Sequence, residues 1–172
     1  MPKGNEKELL HRAEALGFTE IVFLYENPLK KPSLPKDQAV KCRYGLFITN
    51  INEASKAKPD EIVFAPSSRE FFENNKVTHL ILFEDSAQKD SFHQRKAELD
   101  EAVCKIAKEK TKTIIFNTQK ADDVLWLGRM LQDAKLCRKY KLKTIVATFA
   151  STPLQMRAPK DLDAMKRMLK II

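Results

Sequence analysis

Residues 129–143 carry six basic side chains, Arg129, Lys135, Arg138, Lys139, Lys141 and Lys143, against a single acid, Asp133. Cationic side chains at that density bind anions, and a run that closes a helical pattern and enters a strand suits the phosphates of a polyanion. Lysines in the last turn of a helix also complement its dipole, so part of the cluster has a purely structural reason. Lys105, Lys108, Lys110 and Lys112 repeat the arrangement at an earlier helix-to-strand junction. The charge is confined to one half of the chain. Residues 1–86 hold 12 Lys/Arg against 13 Asp/Glu, whereas residues 87–172 hold 19 against 10. A nucleic-acid or nucleoprotein partner is the expectation.

The residue types that do covalent or metal chemistry are sparse. His11, His79 and His93 are scattered, without the spacings that place two imidazoles on one ion, which weighs against a multi-histidine metal centre. Glu26, Glu84 and Asp85 follow predicted strands and have the oxygen chemistry for Mg²⁺; as solvated loop acids and helix caps they need no ion. Only four glycines are present, and no P-loop, G-x-S-x-G or G-x-G-x-x-G occurs, so nucleotide and dinucleotide enzymes are disfavoured. Cys42, Cys104 and Cys137 are odd in number and widely spaced. They read as buried thiols rather than a disulfide framework or a zinc site.

These residues must be positioned by elements of alternating kind. Asn5 and Glu8 open a short amphipathic helix that Gly17 stops. Apolar strand patterns follow at Glu20–Tyr25, Lys41–Thr49, Glu61–Ala65, Thr78–Phe83, Lys112–Phe116 and Leu142–Phe149, with a proline-bearing loop over Asn27–Gln38. Helical patterns lie at Ser67–Asn75, Ala97–Lys110, Asp122–Tyr140 and Pro159–Leu169. Strand, crossover helix and strand in repetition predict a parallel β/α fold of one domain, residues 1–172, either a closed or nearly closed barrel or an open doubly wound sheet. No apolar run reaches the roughly 20 residues of a membrane span, and no signal-peptide core follows Met1, so no membrane partner and a cytoplasmic location are expected.

On the longest helix, Val124, Trp126, Leu127, Met130, Leu131, Ala134 and Cys137 share a broad apolar arc at 100° per residue, predicted to pack on the sheet. Leu125 and Leu136 fall on the polar side and are candidates for contact with another protein.

Three stretches resemble a known family. His93-Gln94-Arg95-Lys96-Ala97-Glu98-Leu99-Asp100 is similar to a segment that opens a helix in protein component 3 of archaeal ribonuclease P, the thirty-kilodalton-class subunit family. Trp126 to Phe149 resembles that family's penultimate helix–junction–strand unit. Ser151 to Leu162, with Arg157, Pro159, Asp161 and Leu162, is the most specific match. Two positions depart from the pattern. Glu98 stands where the family usually has Gly, and the family opens with a strand ahead of the first helix, which here begins near Met1.

The resemblance implies a TIM-barrel-like β/α fold, open or lacking its first strand. It implies a non-catalytic subunit of ribonuclease P that supports RNA-catalysed removal of the 5′ leader from precursor tRNA. Its partners would be the RNase P RNA and another small protein subunit, with precursor tRNA met indirectly. No cofactor would be bound by the chain, Mg²⁺ being used by the RNA. Arg95, Arg129, Lys135, Arg138, Lys139, Lys141, Lys143, Arg157 and Lys160 would neutralise RNA phosphates. Asp161 reads as a helix-start residue. The alternative function is a metal-dependent phosphoesterase or hydrolase on a barrel fold.

Overall fold

The computed structural model describes residues 1–26, 39–58, 61–83, 97–120 and 123–171. The strands are β1 (Glu20–Tyr25), β2 (Lys41–Phe47), β3 (Ile62–Pro66), β4 (His79–Leu82), β5 (Thr113–Asn117) and β6 (Lys143–Ala147). The helices are α1 (Glu6–Ala15), α2 (Arg69–Glu73), α3 (Glu101–Glu109), α4 (Val124–Tyr140) and α5 (Pro159–Leu169). Each strand pairs in parallel with the next in chain order, from β1 to β6. Helices α2 to α5 pack on one face of this sheet, and strand twist curls it around the other. The result is an open half-barrel, which settles the choice left between a barrel and a doubly wound sheet.

Alternation along the strands divides the core in two. Leu46, Val63, Ala65, Leu80, Leu82, Ile114, Phe116 and Val146 meet Phe71 and Phe72 of α2, Cys104 and Ala107 of α3, Trp126 and Met130 of α4, and Leu169 of α5. The intervening residues Leu24, Phe47, Phe64, Ile81 and Ile115 form a smaller apolar cluster on the concave face. Gly45 belongs to that inner face. A Cβ there would stand 2.4 Å from Cε2 of Phe64 and 2.8 Å from Cδ2 of Leu24, so the missing side chain lets the Phe64 ring lie across β2.

The helices start and stop for local reasons. Asp100 and Asp123 accept backbone N–H groups at the starts of α3 and α4. Helix α1 stops at the left-handed Gly17, as its sequence predicts, whereas α3, α4 and α5 exit through left-handed residues that are not glycine: Thr111, Lys141 and Lys170 have φ of 51°, 55° and 54°. A 3₁₀ turn at Ile51–Lys56, started by Asn50, stands in place of a crossover helix between β2 and β3.

Helix α4 departs from its predicted arc. Val124 and Leu131 are 79% and 42% exposed, while Arg129 and Asp133 are buried. The buried face is rotated toward these two charged residues, and a count of apolar side chains alone does not find it. Asp133 Oδ1 accepts the backbone N–H of Leu99, which ties the entry of α3 to α4. Of the three thiols, Cys104 and Cys137 are buried as expected and Cys42 is partly exposed.

Candidate nucleic-acid interface

The strand-end face carries a polar pocket of about 440 Å³, lined by Thr118, Gln119, Thr148, Leu154, Gln155 and Arg157. Its floor is the exit of β5. Asn117 is buried and its Oδ1 accepts the N–H of Gln119 at 3.0 Å, while Thr118 Oγ1 donates to the carbonyl of Ala147 at 3.3 Å. Gln119 Nε2 donates to the carbonyl of Phe149 at 2.8 Å. Phe149 is left-handed, with φ of 48°, a conformation that a bulky L-residue rarely adopts. The loop beyond is held by Gln155 Oε1, which accepts from Ser151 N and Ser151 Oγ, both at 2.9 Å.

Against this ordered floor Arg157 is exposed, and its guanidinium has no hydrogen bond or ion pair with any described residue. Lys160 lies three positions on, exposed in the first turn of α5. A fork of five N–H donors over hydroxyl and amide groups has the chemistry to hold a phosphate, bidentately through Arg157. Asp161 is occupied within the fold, where its Oδ2 accepts the N–H of Ala158 at the helix start.

The basic run before β6 does not form one surface. Arg129 is 1% exposed and lies within the core, which removes it from any phosphate-facing patch. Arg138 Nη1 donates to the carbonyl of Leu169 at 2.6 Å and so satisfies the last turn of α5. Lys139 forms an ion pair with Glu101 of α3. Lys135, Lys141 and Lys143 are exposed, without side-chain hydrogen bonds or ion pairs to described residues. At the earlier junction, Lys110 Nζ donates to the carbonyl of Glu73 at 2.7 Å, and the buried Lys112 Nζ donates to the carbonyls of Asn74 and Val77. That pair fastens the turn after α2, so both ammonium groups are engaged within the fold. Burial, then the nearby Lys110 charge, pushes the Lys112 ammonium down to about 8.

Lys143 begins β6, and Arg157 follows its end, so the two cationic groups are separated by roughly the length of a strand, on the order of 15 Å. Arg95 lies outside the described residues, as do Glu84, Asp85 and His93. Among the described residues no group of three or more His, Cys, Asp or Glu converges as a metal site. His79 instead stacks on Phe64, with ring centroids 4.8 Å apart, and burial lowers its pKa.

Glu98 joins two strand exits: one carboxylate oxygen accepts the Ser67 hydroxyl and the other the N–H of Phe83 at 3.0 Å. Leu125 is 54% exposed beside the still more exposed Val124, whereas Leu136 packs partly against the core. Gln119, Thr148, Leu154 and Gln155 line the pocket without having been singled out from the sequence. The Thr152-x-x-Gln155 spacing was the available signal, since that pattern marks a side chain turned back on its own loop.

No protein-family model matches the chain, and no curated protein matches it. Among solved structures it is similar to a chain in a cryo-EM structure of archaeal ribonuclease P with mature tRNA. That similarity has a TM-score of 0.69 at 18% identity, over 95% of this chain and 78% of the other. The two share a fold. No described helix is long and apolar enough to cross a membrane.

Proposed function

We propose that the chain is a protein subunit of ribonuclease P, which supports RNA-catalysed removal of the 5′ leader from precursor tRNA without supplying the catalytic groups. The observation that carries this reading is the likeness, over 95% of the chain, to a chain of an archaeal ribonuclease P. The exposed guanidinium of Arg157 over the strand-end pocket supports it. In this reading Arg157 and Lys160 grip one stretch of RNA backbone, and Lys135, Lys141 and Lys143 contact phosphates at the opposite end of the sheet. Lys139 contributes only when its pairing with Glu101 opens, and Arg138 acts mainly on α5. Binding proceeds by phosphate and shape, with little base reading. The exposed apolar end of α4, with Val124, Leu125 and Leu131, is the contact proposed for another protein subunit.

The test is precursor-tRNA cleavage by an assembly reconstituted with its RNA, with and without this chain, across a Mg²⁺ series. The chain is expected to lower the Mg²⁺ requirement and to be inactive without the RNA. Arg157→Ala should weaken RNA affinity by about 1–3 kcal/mol, the range for a charge-assisted bidentate contact. Leu125→Lys should spare RNA affinity and reduce co-assembly with the protein partner. An otherwise active assembly indifferent to the chain overturns the reading.

A further inference from the structure

Of the residues given an RNA-facing role, only Lys143 borders the concave side of the half-barrel, whose two edges are unfinished. β1 and β6 each keep one backbone edge without a strand neighbour among the described residues. Side chains from both edges line one apolar cavity of about 430 Å³, among them Val22 and Leu24 of β1 and Ile145 and Ala147 of β6. Val22 and Ile145 remain 40% and 41% exposed. Asn5 Nδ2 donates to the carbonyl of Ser151 at 3.0 Å, so the gap is bridged at the strand-end side by the entry of α1.

Volume, edge and charge together select an occupant. Truncating one large aliphatic side chain in a core leaves a hole of about 150 Å³. The cavity therefore takes roughly three such side chains, the number that a strand of about five residues turns to one face. A compact apolar ligand fills the space but leaves the β1 edge unpaired, whereas an extended peptide pairs it. At the strand-start rim stand Lys41, Arg43, Lys143 and Glu20. Arg43 and Glu20 pair with each other, and among the described residues no acid compensates Lys41 or Lys143. We propose that the β1–β6 cleft receives an extended segment of a partner protein, with aliphatic side chains at alternate positions and an acidic residue beside Lys41 and Lys143.

Two acetylated, amidated hexapeptides of alternating valine and threonine test this on the full chain, one with glutamate first and one with glutamate last. One of them is expected to slow amide hydrogen exchange on β1 by about tenfold or more at peptide concentrations up to about 1 mM. The same peptide N-methylated at alternate residues, which cannot pair with an edge, should lose that effect. Val22→Lys should weaken binding by about tenfold, and Ile145→Lys on the opposite edge provides the same reading if Val22→Lys does not fold. Absence of protection with both peptides overturns the proposal. So does undiminished binding of the N-methylated peptide, which would make the cleft a site for apolar ligands, and so does peptide-independent protection that grows with protein concentration, which would make it a self-association edge. None of these readouts involves RNA, so the outcome is independent of the ribonuclease P reading.

Discussion

Lys112 shows how a residue that invites a functional reading can be consumed by structure. Its ammonium is buried and spans the carbonyls of Asn74 and Val77. With the folded group at about 8 and an unfolded lysine near 10.4, the unfolded chain binds more protons between those values. Stability from this group therefore rises with pH across that window, and a neutral amine still has two N–H groups for the two carbonyls. In urea unfolding, the stability of wild type relative to Lys112→Met should rise from about pH 7.5 to about pH 9.5. Gly45 has the opposite character, an ordinary letter in the sequence with a strict packing reason. Gly45→Ala should cost about 1–3 kcal/mol, because the new methyl meets the Phe64 ring held against His79. Neither role was legible from composition, since each depends on atoms far along the chain.

At the scale of elements, the junction from α4 to β6 combines a stability device with a candidate contact. Lys141 has φ of 55°, which costs an L-residue about 1–2 kcal/mol relative to glycine. Lys141→Gly should raise the unfolding free energy by about 1 kcal/mol while weakening RNA binding. A change in both that had the same sign would mean the lysine acts through folding alone. The existence and order of these elements were legible because the strands are short apolar runs bounded by capped helices. The facing of α4 was not. Arg129 and Asp133 occupy positions that a polarity count gives to solvent, and Asp133 is matched there by the backbone of Leu99 at the entry of α3. The clustering of basic residues at 129–143 was likewise visible, but its division into Arg129 in the core, Arg138 on α5 and Lys139 on Glu101 required the third dimension.

For the whole molecule, the half-barrel separates two groups of exposed cations by the length of β6. Sites that far apart, with no shared partner, change affinity additively. Arg157→Ala and Lys143→Ala should each lower the slope of log affinity against log salt by about one, and the double variant by about two. Filter binding over a salt series checks this, and a double variant no worse than Arg157→Ala would place Lys143 off the RNA path. The curled parallel sheet was legible in the repeating strand–helix order, whereas the gap between its ends was not, because closure depends on strand tilt and stagger rather than on any local pattern. The strand order also bears on how the chain acquires its shape. Every strand is laid down beside the one before it, so chain closure never has to span more than one connection until Asn5 meets Ser151 across 146 positions. That contact carries the largest loop-entropy cost. Growth of the sheet can thus keep pace with synthesis from the amino end, with α1 already seated on β1 through Leu9 and the Tyr25–Glu6 hydrogen bond before Ser151 arrives to close the gap.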